Sequence, residues 1–346
     1  MKASFRAKPS LTTDMIIKKV LCFGEILMRF SPLREGQSFE KQSMPFFVGG
    51  AELNVANALS KWKVPVVYCT AMPDNFFTNS ITKYIASNDI DTSAIYKTGN
   101  RIGVYYLAQG TDVKNAGVVF DRENSSFANL QVGMIDWHKV LKNVSWFHLS
   151  AIAVALTDNT TAVCIEALEV AKSLGITISI DLNYRNSLWK YGKKAYDIMP
   201  NILKYCDVVM GNLWSVESLL NIPSPIKSSA YKSQEELLTA AQKSIHLLQT
   251  DYPNVKKVAY TFRLEDYYWA VLQDNDEVFI SKKREINNTV DKVGSGDCFM
   301  AGLIYGMQKE FSPQQVIDYA ASAAVGKLYE KGDCTNQTVE RILARI

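Results

Sequence analysis

Hydrophobic and polar positions along the chain follow two alternating patterns. Short runs rich in Val, Ile and Leu predict strands, and the longer segments between them repeat apolar residues every three or four positions, which is typical of amphipathic helices. The predicted strands are Val20–Phe23, Val66–Cys69, Trp146–Leu149, Ile176–Ile180, Asp207–Met210 and Val258–Thr261, and the predicted helices are Glu52–Trp62, Thr160–Leu174, Lys193–Leu203 and Pro313–Leu328, with a shorter one after Gln337. This order predicts an α/β fold with a doubly wound, mostly parallel sheet that is flanked by helices and buried on both faces.

Two segments break the alternation, because neither is followed at once by a covering helix. They span about residues 26–48 and 101–121, and the second contains the strand-like runs Val104–Leu107 and Gly117–Phe120. We expect them to form a small antiparallel sheet that projects as a lid over the carboxyl ends of the parallel strands. No linker-like segment divides the chain, so residues 18–346 are expected to form one domain, preceded by a flexible extension over residues 1–17.

Composition and charge exclude several classes of protein. The chain of 346 residues carries 38 Lys and Arg against 35 Asp and Glu, and it has no long basic run, so it lacks the charge pattern of a nucleic-acid binder. Its 6 cysteines form no C-x-x-C pair, which argues against a zinc cluster or a disulfide framework. No stretch approaches the ~20 apolar residues of a membrane span. We therefore expect a cytoplasmic protein that binds neither nucleic acid nor membrane.

The segment Val290–Gly302 is the strongest candidate for chemistry. It runs from a strand end through Gly294, Ser295 and Gly296 to Asp297, and then into an apolar helix. The glycines would let backbone N–H groups approach an anion, and a helix N-terminus attracts a phosphoryl group. Asp297 could be a simple helix cap. A carboxylate beside a phosphate cradle is, however, suited to deprotonating an attacking hydroxyl, which indicates phosphoryl transfer.

Other glycine-rich motifs do not fit this segment. A dinucleotide fingerprint would need Gly or Ala where Phe299 stands, and a P-loop would need Gly-Lys-Ser/Thr, which the chain lacks. Protein-kinase and serine-hydrolase signatures are absent as well. His148, at a strand end, is expected to be a structural histidine.

Two signatures together resemble those of the ribokinase-like, or PfkB, carbohydrate kinases. Asp291–Asp297 is similar to the D-x-x-G-A-G-D signature of that family, with Ser295 in place of Ala, and Val48–Ala56 is similar to its N-terminal Gly-Gly signature. The resemblance implies a ribokinase-like fold with Asp297 as general base and Gly294, Ser295 and Gly296 as the anion hole. It also implies that Gly49, Gly50 and Asn54 bind the sugar.

Within that family, further segments resemble the 2-keto-3-deoxygluconate kinases. These segments are Asn100–Tyr105, Phe120–Arg122 and Asp181–Arg185, with Trp189 following the last one. A keto-deoxy sugar acid carries a carboxylate, and arginine offers a permanently charged donor fork for carboxylates. Arg122 and Arg185 are therefore candidates to bind the substrate carboxylate, with Tyr105 as a hydrogen-bonding partner. Surface ion pairs or phosphate contacts are the alternative roles for both arginines.

The resemblance implies ATP as the phosphoryl donor, with Mg²⁺ arriving bound to it. Asn212, Thr261, Gly294 and Gly296 would contact ATP, and the purine would lie near the helix segment 320–327. The family pattern N-x-x-E is broken here, because Ser215 follows Asn212 where Glu is usual. Glu217, two positions further, is not expected to ligate Mg²⁺ directly, and the sequence identifies no metal ligand.

Three functions remain open at this point. The first is ATP-dependent phosphorylation of the terminal hydroxyl of 2-keto-3-deoxygluconate, the second is phosphorylation of a neutral sugar such as fructose or ribose, and the third is a sugar-sensing protein that has lost catalysis. The apolar lid strand Val104–Leu107 would also expose a sheet surface unless another copy covered it. We therefore expect a homodimer that forms through the lid.

Overall fold

The computed structural model describes residues 18–33, 37–109, 117–229 and 232–346, so the extension expected over residues 1–17 lies outside the described residues. The strands are β1 Lys19–Phe23, β2 Leu27–Phe30, β3 Phe46–Gly49, β4 Val66–Met72, β5 Ile95–Lys97, β6 Gly103–Tyr106, β7 Val119–Asp121, β8 Val144–Ser150, β9 Thr177–Asp181, β10 Val208–Gly211, β11 Lys257–Arg263, β12 Tyr267–Asp274, β13 Glu277–Ile280 and β14 Arg284–Glu285.

The helices cover both faces of the main sheet. They are α1 Gln37–Glu40, α2 Ala51–Lys61, α3 Phe76–Ala86, α4 Trp137–Val140, α5 Ala151–Val154, α6 Asp158–Ser173, α7 Ala195–Ile198, α8 Pro200–Leu203, α9 Leu213–Leu220, α10 Gln234–Asp251, α11 Ser295–Gln308, α12 Pro313–Lys327 and α13 Val339–Leu343. No helix among the described residues is long and apolar enough to cross a membrane.

The main sheet has ten strands in the order β13-β12-β11-β10-β9-β8-β1-β4-β5, with β14 paired to β12. From β5 to β11 all neighbouring strands are parallel, whereas β12, β13 and β14 pair antiparallel at one edge. The predicted doubly wound, mostly parallel sheet is confirmed. Strand order reverses direction between β1 and β8, and the crevice at such a switch point is the usual ligand site of this architecture.

Both faces of the sheet are buried, as the continuous apolar runs predict. In β1, Leu21 and Phe23 pack with the helices of one face, and Val20 and Cys22 pack with those of the other face. Successive strand residues point to opposite faces, so a strand covered on both sides needs apolar residues at every position. The helices of the second face include α2 and α11, whose N-termini both reach the switch-point crevice.

The lid is a separate sheet, but its topology differs from the prediction. Its strand order is β3-β2-β6-β7, and β2 pairs parallel with β6, so the lid is mixed rather than antiparallel. The physical reason is that the chain passes through α2, β4, α3 and β5 between these strands, which is a crossover connection and not a hairpin. The described lid residues lack 34–36 and 110–116.

One helix that the sequence predicts as continuous is divided in the structure. The segment predicted over Lys193–Leu203 forms two short helices, α7 and α8, and the second begins at Pro200. Proline has no N–H to donate to the preceding turn, so it is tolerated at the start of a helix and interrupts a longer one. The remaining predicted elements lie within a few residues of the observed bounds.

Candidate functional site

A cavity of about 740 Å³ lies between the lid and the carboxyl ends of the parallel strands. A cavity of this size is in the range that holds a small-molecule ligand. The predicted site residues that line it are Gly50, Asn54, Tyr105, Arg122, Arg185, Asn212, Thr261, Gly294, Ser295, Gly296 and Asp297. Gly49 is not among the lining residues; it ends lid strand β3 and packs against the side chain of Asp333.

Helix α11 begins at the cavity with a left-handed glycine. Gly294 has a φ of 78°, no side chain caps the helix, and a Cβ at this position would collide with the backbone carbonyl of Asp333. The free N–H groups of the first turn therefore stay available for an anion. The Ser295 hydroxyl donates to the carbonyl of Ala324 at 3.0 Å, so this side chain connects α11 to α12.

Asp297 is buried in the first turn of α11. Asn54 on α2 donates a hydrogen bond from Nδ2 to Asp297 Oδ2 at 2.7 Å. Burial raises the pKa of Asp297 to about 6, although this hydrogen bond and the charges of Arg185 and Lys327 act in the opposite direction. A carboxylate with a pKa just below neutral is ionised at pH 7 and still basic enough to accept a proton.

Helix α2 places Asn54 behind Asp297. The helix begins at Gly50, whose φ of 137° and close approach to the backbone carbonyl of Glu25 leave no room for a side chain. Besides donating to Asp297, Asn54 accepts a long contact of 3.6 Å from the Cys334 thiol. The amide predicted to bind sugar hydroxyls therefore orients the carboxylate in this structure.

A buried network that the sequence did not suggest connects the lid to this site. Arg29 on β2 donates from Nε to Asp333 Oδ1 at 2.7 Å and from Nη2 to Asp291 Oδ2 at 2.8 Å. The Tyr105 hydroxyl donates to Asp333 Oδ2 at 3.1 Å. Burial raises the pKa of Asp333, and the charge of Arg29 opposes this shift. Asp333 thus joins Tyr105, a predicted substrate residue, to the segment beside Gly294.

Arg122 is held by a partner that the sequence did not reveal. Its Nε donates to Glu25 Oε2 at 2.7 Å, and its Nη2 lies 2.5 Å from the same oxygen in an ionic contact without hydrogen-bond geometry. The Ser125 hydroxyl donates to the other oxygen of Glu25 at 2.5 Å. Arg122 therefore forms an ion pair that is buried at the cavity wall, and not the surface ion pair that was the alternative expectation.

Arg185 reaches the cavity from the loop after β9. Its Nη1 donates to the carbonyl of Tyr184 at 3.0 Å, and its charge lowers the pKa of Asp297. Both Arg122 and Arg185 line the cavity.

Asn212 and Ser215 together form a helix cap at the cavity. The Asn212 side chain accepts from the N–H groups of Trp214 and Ser215 at 3.1 and 3.0 Å, and Ser215 Oγ accepts from the N–H of Asn212 at 2.9 Å. This capping box gives the unusual Ser215 a structural role. Glu217 pairs with exposed Lys227 at 3.1 Å.

The cavity wall also contains Thr261 on β11 and Arg263, whose Nη1 donates to the carbonyl of Lys292 at 3.4 Å. Within the described residues, no group of three or more His, Cys, Asp or Glu side chains could hold a metal ion. The small residues Ala320, Ala321 and Ala324 are fully buried, and Ala320 contacts Gly302 of α11 closely. This part of the proposed purine region is therefore helix-packing surface.

His148 is a structural residue, as expected. Its Nδ1 lies 3.0 Å from the Ser179 hydroxyl, and burial lowers its pKa to about 3. The side chain is neutral at physiological pH and lies outside the cavity lining.

Comparison with known proteins agrees with this architecture. The sequence profile of the pfkB family carbohydrate kinases matches residues 17–339. A 2-dehydro-3-deoxygalactonokinase of Haloferax volcanii is 25% identical over 94% of this chain and 96% of its own length. A crystal structure of 2-dehydro-3-deoxygluconokinase from Thermotoga maritima superposes with a TM-score of 0.84 at 31% identity, covering 94% of this chain and 98% of that one.

A more distant structure shows the same fold with ligands. A protein described as ribokinase II from E. coli, in complex with ATP and Mg²⁺, has a TM-score of 0.74 at 20% identity and covers 95% of this chain and 98% of its own. The profile match covers the chain from β1 to the first residue of α13, and it includes both glycine-led helix starts at the cavity. The chain is a member of the pfkB family of carbohydrate kinases.

Proposed function

We propose that this carbohydrate kinase transfers the γ-phosphoryl group of ATP to the terminal hydroxyl of 2-keto-3-deoxygluconate, with Asp297 as general base. Its membership of the family supports sugar kinase activity; the acceptor and the residue roles are our proposal. The observation that carries it is one cavity in which buried Asp297 stands at the uncapped start of α11 and which Arg185 also lines.

In the proposed mechanism, Asp297 accepts the proton of the sugar hydroxyl as that oxygen attacks the γ-phosphorus. Its pKa of about 6 keeps it ionised at neutral pH, and the hydrogen bond from Asn54 fixes which carboxylate oxygen faces the substrate. The free N–H groups after Gly294 would stabilise charge on the transferred phosphoryl oxygens. The bond between that phosphorus and the leaving oxygen of ADP breaks as the new bond forms.

The acceptor is proposed to be an acid because two arginines line the sugar side of the cavity. Arg185 would hold the carboxylate directly, and Arg122, already neutralised by Glu25, would add hydrogen bonds from the donors that Glu25 leaves free. Tyr105 and Gly50 would frame the sugar chain. Two relatives named above act, by their names, on 2-dehydro-3-deoxy sugar acids, which supports this choice.

ATP is proposed to bind on the other side of the cavity, near Thr261, Asn212, Gly294 and Gly296. Mg²⁺ is proposed to enter as part of the ATP complex, where it would neutralise phosphate charge. We place the enzyme in the cytoplasm, where ATP is available.

The test is ADP formation with a panel of acidic and neutral sugars. We expect turnover with 2-keto-3-deoxygluconate and at least tenfold lower kcat/KM with fructose and ribose, because a charge-assisted contact to the carboxylate contributes roughly a factor of ten or more. Preference for a neutral sugar would contradict the acidic acceptor. No turnover with any sugar would favour the sensor.

We also infer a homodimer that forms through the outer face of the lid. Phe46, Tyr106 and Val119 are 57%, 38% and 60% exposed, and they lie in one row across the lid because Phe30 pairs with Phe46 and Tyr106. The predicted surface was partly wrong, since Tyr105 and Leu107 are buried on the inner side. A dimeric mass in solution that Tyr106→Glu reduces to a monomer would support this interface, and a monomeric wild type at micromolar concentration would contradict it.

A further inference from the structure

Arg29 is a buried arginine of the lid, and all its polar contacts described above leave the lid. Its side chain is 3% exposed, and its guanidinium lies 4.3 Å from the centre of the Phe47 ring. The ion pairs to Asp291 and Asp333 connect β2 to two separate segments of the main domain. No other ion pair among the described residues joins the lid strands to the loop that leads into α11.

Asp291 stabilises the loop that leads into helix α11. One of its oxygens accepts from the N–H of Val293 at 3.0 Å, and the other accepts from the N–H of Gly332 at 3.2 Å. Arg29 binds this second oxygen. The lid strand β2 is therefore coupled through one carboxylate to the three residues before Gly294.

The same arginine contributes to a partition between two cavities. Asp333 lines a neighbouring cavity of about 630 Å³, and Tyr105 lines the cavity of Asp297. The hydrogen bond from Tyr105 to Asp333 joins the two walls, and the ring of Phe47 fills the space against Gly332. Without Arg29, buried Asp333 and partly exposed Asp291 would lose the cation they share, and their mutual repulsion would push them apart.

We propose that Arg29 is a positioning residue that latches the lid onto the Asp291–Asp297 loop and keeps the partition closed, so that the sugar hydroxyl and not water attacks ATP. This inference rests on the proposed function. If the latch is released, water from the neighbouring cavity reaches the γ-phosphorus, its oxygen forms the new bond, the bond to ADP breaks, and inorganic phosphate forms with its proton released to Asp297 or solvent. Closure of this kind is how lids protect phosphoryl transfer from hydrolysis.

The experiment measures ADP and sugar phosphate in the same reaction for Arg29→Met and Arg29→Lys. In the wild type we expect one ADP per sugar phosphate. For Arg29→Met we expect about a tenfold higher KM for the sugar and an ADP excess of roughly twofold or more, since a misplaced closing element costs about that much or more. Arg29→Lys keeps the positive charge but can bind only one of the two carboxylates. It should therefore bring the ratio of ADP to sugar phosphate part of the way back to one.

The matched control is Arg101→Met, which removes the exposed lid ion pair to Asp121 at 2.7 Å and should leave both readouts unchanged. If Arg29→Met does not fold, Tyr105→Phe provides a second test. It removes the hydroxyl that donates to Asp333, and it should also raise the excess of ADP over sugar phosphate. Coupled turnover with an unchanged KM in the folded variants would overturn the latch. Absence of sugar phosphate from the wild type would instead overturn the proposed function.

Discussion

Among the described helices of eight or more residues, two kinds of helix start occur, and the difference separates the candidate site from the scaffold. Helices α2 and α11 begin at Gly50 and Gly294 without any side-chain cap. The capped long helices are α3, α6, α9, α10 and α12, whose capping boxes start at Asn75, Thr157, Asn212, Ser233 and Ser312. A cap stabilises a helix by about 1 kcal/mol, so both uncapped helices forgo this stability at the cavity.

Helix α9 sharpens the comparison because it also starts at the cavity. Its first N–H groups are already bonded to Asn212, so they are unavailable to an anion. The start of α11 has no side-chain cap, and the hydrogen bond from Asn54 to Asp297 connects it to α2. The uncapped pair is therefore the region where a phosphoryl group and a sugar hydroxyl can meet.

After loss of the base itself, the largest expected effect is that of Gly294→Ala. A Cβ would strain the left-handed backbone and push against the Asp333 carbonyl, which displaces the anion hole. We expect kcat/KM to fall by about 100-fold, measured by steady-state kinetics. The control is Gly175→Ala, where φ is 66° and no atom lies within 4 Å of the new Cβ. An equal loss of activity in both variants would contradict the assignment.

Arg185→Met should have the next largest effect. Loss of a charge-assisted contact should raise the KM for the sugar acid by roughly 10- to 100-fold and leave the KM for a neutral sugar unchanged. Arg122→Met is the comparison, because Arg122 is already paired with Glu25. If only the Arg122 variant loses affinity for the acid, the two arginines have been assigned the wrong way round.

The pH dependence should report Asp297 directly. The pKa of this carboxyl is raised to about 6, so kcat/KM should fall as the pH drops below about 6, where the base becomes protonated. Asn54→Ala removes a hydrogen bond that lowers this pKa, so the acid limb should move to higher pH. A limb that stays in place would mean that another group titrates.

The smallest effect is expected at a capped helix. Ser233→Ala removes the cap of α10, where Ser233 accepts from the N–H of Glu236 at 3.1 Å. We expect the free energy of unfolding to drop by about 1 kcal/mol, measured by denaturant titration, with kcat unchanged. A change in kcat would contradict the claim that the capped helix α10 contributes to stability and not to catalysis.

The sequence predicted those parts of the molecule that depend on local pattern. Continuous apolar runs identified the parallel core, and glycines before an apolar helix identified the start of α11 with Asp297. The contacts of Arg29 with Asp333 and of Glu25 with Arg122 could not be predicted, because 304 and 97 residues separate the partners and only the folded lid brings them together. In the sequence, Ser215 shows only that the Glu of the family pattern is missing. Its role in the capping box with Asn212 depends on the folded backbone and is seen only in the structure.

The most direct test of the account is single-turnover phosphoryl transfer by Asp297→Asn with ATP and 2-keto-3-deoxygluconate. The substitution keeps the size of the side chain and removes the base, so the rate should fall about 10²- to 10⁴-fold while binding of both substrates, measured by calorimetry, persists. A rate close to that of the wild type would contradict the role of Asp297 and the functional meaning of the uncapped helix pair.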